Sequence, residues 1–249
     1  MGASGVQAGP SPVRRALVVG PLALVGVGCA GPQGAGTVSP FPLPAGSVLE
    51  WQTVNAYNGE ARSRVRQQVG AEGSRLVGMD FEDASEAPFG RDRARVVAWQ
   101  VDARGDLLAL ERADGSRTRY SPPLPLLPPV LTPGARSRAV VDATDRDGGT
   151  PRRVMLATRV GGWETVRVPA GEFRALRIFH DLDEGDGATH RTAMLRQRVD
   201  WYAPGPGVVV RREESSLFFD TSSGGGEGSG WLPRAGDWLR WELVAGPGR

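Results

Sequence analysis

From Val48 to the C-terminus, no window of the chain sustains the apolar period of a long amphipathic helix. Apolar residues recur instead in short runs cut by turn residues. Leu49, Trp51, Thr53, Asn55 and Tyr57 fall on one strand face, and Asn58-Gly59 supplies a turn. Residues 63–69 and 75–79 read as further strands. Residues 95–103 run into Arg104-Gly-Asp106, then 107–112 run into Asp114-Gly115, as consecutive hairpins would. The Arg-Gly-Asp triplet is accordingly read as a turn, not as a cell-adhesion signal. Residues 153–160, 163–168, 172–180, 192–202, 207–218 and 237–244 complete the pattern, with 222–230 (SSGGGEGSG) as a flexible loop. In the 192–202 strand, Leu195, Val199 and Trp201 share a face with Gln197. The high content of turn formers, Gly 35 and Pro 20, agrees with this reading. The expected fold is all-β, with about ten short strands in a curved antiparallel sheet or partly closed β-barrel.

Residues 121–134 (SPPLPLLPPVLTPG) interrupt the strands with six prolines. Proline removes backbone donors from a ladder, so this stretch is expected to be a crossing loop or an edge segment. A polyproline ligand for a partner is the alternative, less favoured than a rigid connector.

Ahead of the β region lies a leader. Arg14-Arg15 precede an apolar run, Ala16 to Gly28, that is too short for a comfortable transmembrane helix and carries Pro21. A positive region, a short apolar run and small residues at its end form a secretory signal peptide. Cys29, the single cysteine, follows immediately and rules out an intramolecular disulfide. Leu24-Val-Gly-Val-Gly28-Cys29-Ala30-Gly31 resembles the lipobox of bacterial lipoproteins, with Gly26 where Leu or Val is usual. The resemblance implies acylation of Cys29 and cleavage before it. It also implies a membrane partner reached through that lipid, stable because more than one acyl chain is attached. Ala30 in place of Asp after the cysteine points to the outer membrane, facing the periplasm. The expected organisation is a signal peptide over 1–28, a flexible Gly/Pro-rich tether over 29–47 and a β domain over 48–249.

The basic balance of the whole chain does not signal nucleic acid. Lys is absent, and Arg14 and Arg15 both lie before Cys29 while no acid does. A product beginning at Cys29 is neutral by formal charge, its signs interspersed with no basic stripe, so no nucleic-acid partner is expected. The missing Lys also excludes a P-loop. Gly26-Val-Gly-Cys-Ala-Gly31 has dinucleotide-loop spacing, but Pro32 and Gly-rich sequence follow where a helix is required.

Val168-Pro-Ala-Gly171-Glu-Phe173 and Trp201-Tyr-Ala-Pro-Gly205-Pro-Gly-Val-Val-Val-Arg211 form a motif pair. The pair resembles bacterial envelope proteins, many of them lipoproteins, that carry V-P-A-G-x-F and W-Y-A-P-G-x-G-V-V. The likeness covers mainly residues 150–220. Such domains look akin to the curved sheets of LolA/LolB-type lipoprotein carriers, which implies a concave apolar face. In physical terms Pro169-Ala-Gly171 is a tight turn with Val168 and Phe173 entering the core on either side, and Pro204-Gly-Pro-Gly207 reverses the chain after Trp201.

Chemistry-bearing residues are sparse. His180 and His190 flank Asp181, Asp183, Glu184 and Asp186, apparently in a hairpin loop, and two imidazoles with a carboxylate could hold a metal. A solvated acidic hairpin tip is the simpler reading. Asp142, Asp145 and Asp147 form a second acidic turn. No G-x-S-x-G is present, and no carboxylate pair stands out for acid–base work. The leading expectation is a non-enzymatic, lipid-anchored envelope protein without a cofactor. It would bind an apolar ligand, a lipid or a lipoprotein, in a pocket lined by residues such as Trp51, Trp99, Phe179 and Trp201. The alternatives are a structural or assembly factor of an envelope complex, and a metal-dependent enzyme using His180 and His190.

Overall fold

The computed structural model describes residues 43–70, 75–81, 96–102, 104–112, 115–145, 149–185, 191–220 and 233–246. Among them are twelve strands: β1 (Val48–Asn55), β2 (Ala61–Val69), β3 (Arg75–Phe81), β4 (Val96–Val101), β5 (Leu107–Arg112), β6 (Arg117–Leu124), β7 (Arg136–Thr144), β8 (Arg152–Val168), β9 (Gly171–Asp183), β10 (Arg191–Ala203), β11 (Val208–Asp220) and β12 (Pro233–Ala245). Each pairs antiparallel with its neighbour in the chain. β12 pairs with β1, so the hydrogen-bonded ladder closes on itself. The narrowest join is β3–β4, where only Arg75↔Trp99 and Leu76↔Ala98 are in register. The all-β expectation holds, and the sheet is a closed, uneven barrel.

Local chemistry explains the elements. In β2, Ser63, Val65, Gln67 and Val69 are buried while Arg64, Arg66 and Gln68 are exposed, the period-two alternation of a one-sided strand. The β1–β2 turn closes on Gly59, whose φ of 78° suits glycine and whose N–H donates to Asn55 O at 2.8 Å. Tyr57, expected on the Leu49 face, sits in this turn instead and packs edge-on against Trp238 at 5.3 Å. The Arg-Gly-Asp triplet is the β4–β5 turn, where Asp102 Oδ1 accepts from the N–H groups of Arg104 and Asp106. The Pro169-Ala-Gly171 turn also forms, and Val168 and Phe173 pack against the core as expected.

Three features differ from expectation. β7 carries no strong apolar run: Val141 and Ala143 are buried on one face, whereas Arg136, Arg138, Val140 and Asp142 are exposed on the other. The stretches 153–160 and 163–168 are one strand, β8, with a register shift between Val160 and Trp163 at Gly161-Gly162. The first part of the Pro-rich stretch, through Leu124, belongs to β6. Its remainder turns over the sheet as a strap, with Leu127 and Leu131 against Ile178 and Tyr202. Hence it is a crossing loop with a buried face. The 222–230 loop lies outside the described residues.

The long strands bury both faces at one end. Ile178 and Tyr202 lie under the strap, while Ala175, Trp201 and Ala203 join a cluster with Leu49, Trp51, Val65 and Leu243. The β8–β9 turn reaches that cluster, its Ala170 N–H donating to Leu243 O at 2.9 Å. A second cluster joins Val101, Leu107, Leu124, Val141, Val154 and Leu156. The folded part begins before β1: Leu43 packs on the first cluster, and Gly46 and Ser47 exchange backbone hydrogen bonds with Val69.

The glycine pair in β8 offers a direct check of this packing. A Cβ on Gly161 would lie 3.0 Å from Phe179 Cε2 and 3.1 Å from Arg177 O, whereas one on Gly162 meets nothing within 4 Å. Gly161→Ala is expected to cost about 1–3 kcal/mol by overpacking and Gly162→Ala to cost none, read from urea unfolding of both variants.

Candidate functional site

β9 places His180 well inside the strand, not at a hairpin end, and its side chain is 2% exposed. The residue shares a face with Ile178 and Leu182, and its register partners are Thr158 on β8 and Arg198 on β10. Nδ1 lies 3.3 Å from Thr158 Oγ1, and Nε2 lies 3.4 Å from Asp200 Oδ2. Asp200 is itself 1% exposed. Arg212, directly opposite it on β11, grips the carboxylate with a fork: Nε to Oδ1 at 2.7 Å and Nη2 to Oδ2 at 3.3 Å. Arg198 Nε stands 3.2 Å from Oδ2. A forked guanidinium–carboxylate pair is the strongest form of such a contact.

The electrostatics follow from this crowding. Burial raises the Asp200 carboxyl, but Arg198 and Arg212 outweigh it and hold the group well below the usual carboxylate range. Burial lowers His180, and Arg198 adds to that. The opposing pull of Asp200 is too small, and the imidazole falls to about 4. His180 is therefore neutral at neutral pH, while Asp200 is charged. Alongside, Arg196 pairs with Glu214 at 2.8 Å and Glu184 at 3.3 Å. The strap covers the row: Leu124, Pro125 and Leu126, with Leu156, Leu182, His180, Arg196 and Arg198, enclose only about 30 Å³.

This arrangement does not suit a divalent cation. The one carboxylate beside His180 already faces two guanidiniums, whose charge repels a metal. Among the described residues no group of three or more His, Cys, Asp or Glu could hold one. His190 and Asp186 lie outside the described residues, as do Cys29 and Asp147. Asp181 is exposed and accepts from Gln197 Nε2 at 3.3 Å, and Asp183 Oδ1 accepts from Gly185 N–H at 2.9 Å. Asp142 is exposed on β7. Asp145 accepts from Thr118 Oγ1 at 2.6 Å and Arg152 Nε at 3.2 Å, a structural tie between β6 and β8.

Trp51, Trp99, Phe179 and Trp201 do not converge on one pocket. Trp51 and Trp201 belong to one cluster and Trp99 packs against another. Phe179 lies on the opposite face of β9 from His180, under Arg159 at 3.9 Å and Arg177 at 4.7 Å. The stacking continues to Trp201, flanked by Arg177 at 5.4 Å and Arg211 at 4.9 Å, with its Nε1–H donated to Glu164 Oε2 at 2.7 Å. On this same outer face an open hollow of about 790 Å³ lies over β7–β10, lined by Arg136, Arg138, Arg159, Phe179, Gln197 and Val199 among others.

Sequence reasoning singled out His180 but missed Asp200, Arg198 and Arg212. By alternation, β10 offers Leu195, Val199 and Trp201 as the apolar row, which marks the Arg196, Arg198, Asp200 row as solvent-facing. The available signal was pairwise: Asp200 opposes Arg212 and Arg198 opposes Glu214, so neighbouring strands carry matched charges.

No protein-family profile and no curated protein matches the chain. Solved structures to which it is similar include a candidate lipoprotein of Parabacteroides distasonis, at TM-score 0.38 and 14% identity over 83% of this chain and 97% of that one. A candidate exported protein with a YmcC-like fold from Bacteroides fragilis is similar at TM-score 0.41 and 13% identity, over 84% and 98%. The hypothetical lipoprotein YmcC of Escherichia coli is similar at TM-score 0.35 and 12% identity, over 83% and 86%.

Two measurements check the buried row. Because His180 is depressed from 6.5 to about 4 on folding, its contribution is complete above pH 6.5. That contribution, on the order of 3 kcal/mol, is lost as pH falls from there to about 4, and His180→Gln is expected to flatten this part of a stability–pH curve. Asp200→Asn leaves the half-buried Arg198 and Arg212 without their anion and is expected to cost about 3–5 kcal/mol in urea unfolding at pH 7.

Proposed function

We propose that this chain is a lipid-anchored, non-enzymatic protein of the bacterial cell envelope that works by binding through the outer face of β7–β10. The anchor is Cys29, lipidated on its thiol before residues 1–28 are removed and acylated on its new amine afterwards, and Ala30 favours the outer membrane. The observation that carries the binding reading is the contrast between the two faces of one sheet. On the inner face the ionisable groups are engaged in their own ion pairs, with His180 and Asp200 buried beneath half-buried arginines and the strap. The space between the strap and His180 holds little more than a water or two. Neutral His180 is itself only 2% exposed. The outer face, in contrast, offers the open hollow of about 790 Å³. An apolar carrier needs a dry cavity, so ligand binding is better placed on this surface than inside the barrel.

A role in envelope assembly is favoured by a separate observation. Val140 and Met155 are exposed direct partners on β7 and β8, and Leu195 on β10 lies in the same row beyond Asp183, a partly apolar border beside the hollow suited to a partner.

Intact mass spectrometry of the protein extracted from host membranes tests the anchor. The expected mass is that of the chain from Cys29 plus acyl groups, and Cys29→Ser is expected to lose both the added mass and the membrane association. An unmodified chain in the soluble fraction would refute it.

A further inference from the structure

The geometry points to an occupant for the outer hollow, which we infer to be the phosphate headgroup of an anionic lipid in the bilayer that holds the chain. This inference rests on the lipid-anchor reading and adds the ligand class. Arg136 on β7 and Arg159 on β8 are direct register partners, and Arg138 lies two residues along β7 on the same face. Like charges placed directly opposite across strands repel, and an anion between them removes the repulsion. Among the described residues, none of the three guanidiniums has a carboxylate partner. The lining holds one carboxylate, Asp181, which accepts from Gln197 Nε2 at 3.3 Å and keeps its charge, so three outward arginines face a single acid and the hollow is net positive.

Arg159 is also held in place. Its guanidinium lies 3.9 Å over the Phe179 ring, which orients the group while leaving its N–H edges free. Planar N–H edges match phosphate oxygens two at a time. In the adjoining row Val140 and Met155 are direct partners, 49% and 45% exposed, and supply the apolar half of an amphiphile site, with Asp183 separating them from Leu195. That row begins two residues along β7 from Arg138, so a bound headgroup would leave its acyl end beside apolar side chains. A free inorganic anion would use the arginines alone and leave the apolar row without a role.

The test uses the full lipidated protein on vesicles. Cys29 is blocked by its lipid, so Val140→Cys introduces a single thiol for a fluorophore, and Leu108→Cys on β5 serves as a label on another surface. Vesicles of phosphatidylcholine alone are compared with vesicles that also contain phosphatidylglycerol, each carrying a lipid-borne quencher. The label at 140 is expected to be quenched on the anionic vesicles and not on the neutral ones, with the label at 108 unquenched on both. Each arginine near an anionic surface contributes about fivefold, so Arg136→Gln with Arg159→Gln is expected to lower the docked-to-undocked ratio about 25-fold. Equal quenching at 140 on both vesicles, quenching on neither, or no effect of the double variant would overturn the inference. Failure of the anchor reads differently: the protein then floats with neither kind of vesicle.

Discussion

A single carboxylate buried between two guanidiniums sets the terms for this barrel. Asp200 sits on the inner row of β10, and its charge survives there because Arg198 and Arg212 stand within 3.3 Å. Transfer of such a group from water is costly, and only good geometry offsets it. That requirement restricts the surroundings. Arg212 must lie opposite Asp200, which fixes the β10–β11 register, since a one-residue slip would turn every side chain to the other face. β9 must bring a neutral partner, and His180 with its lowered basicity meets that need. Leu124, Pro125 and Leu126 narrow the space beside His180 and Arg198 to about 30 Å³, which gives the start of the strap a structural purpose.

The outer face answers a different demand with the same residue type. Arg159, Phe179, Arg177, Trp201 and Arg211 alternate cation and ring along the sheet. An ammonium could not replace them without loss, because it neither stacks flat on a ring nor keeps its charge so readily when buried. The Arg-only composition therefore has a structural consequence on both faces. Inside, arginine holds Asp200; outside, it covers aromatic rings that would otherwise be wet.

Much of the fold was legible because most strands obey simple alternation. β2 announces itself through Ser63, Val65, Gln67 and Val69, and the Asn58-Gly59 and Arg104-Gly-Asp106 turns through their chemistry. β7 was not legible, because its outward row carries Arg136, Arg138 and Asp142 and its inward row includes the small Ala139 and Ala143, so no apolar run appears. Gly161-Gly162 looked like a break between strands and is a bulge within one, a distinction that depends on Phe179 and Arg177 across the ladder. The candidate site was half legible. A histidine draws the eye in any sequence, but the burial of Asp200 depends on a charge match between strands that alternation alone reads as solvent.

Closure of the ladder joins β1 to β12, the first and last of the described strands. Gln52 on β1 donates to Glu242 on β12 across 190 residues, and Trp51 pairs in register with Leu243. The first strand to emerge from a ribosome thus waits for the last before its outer edge is paired. Contacts so distant in sequence form slowly, because loop closure precedes the reward. Until then β1 exposes a bare edge, the feature that invites pairing with another chain. Such a polypeptide stays unfinished through its whole synthesis, a state compatible with threading through a narrow pore. A chain cut short before residue 233 would keep that edge open permanently.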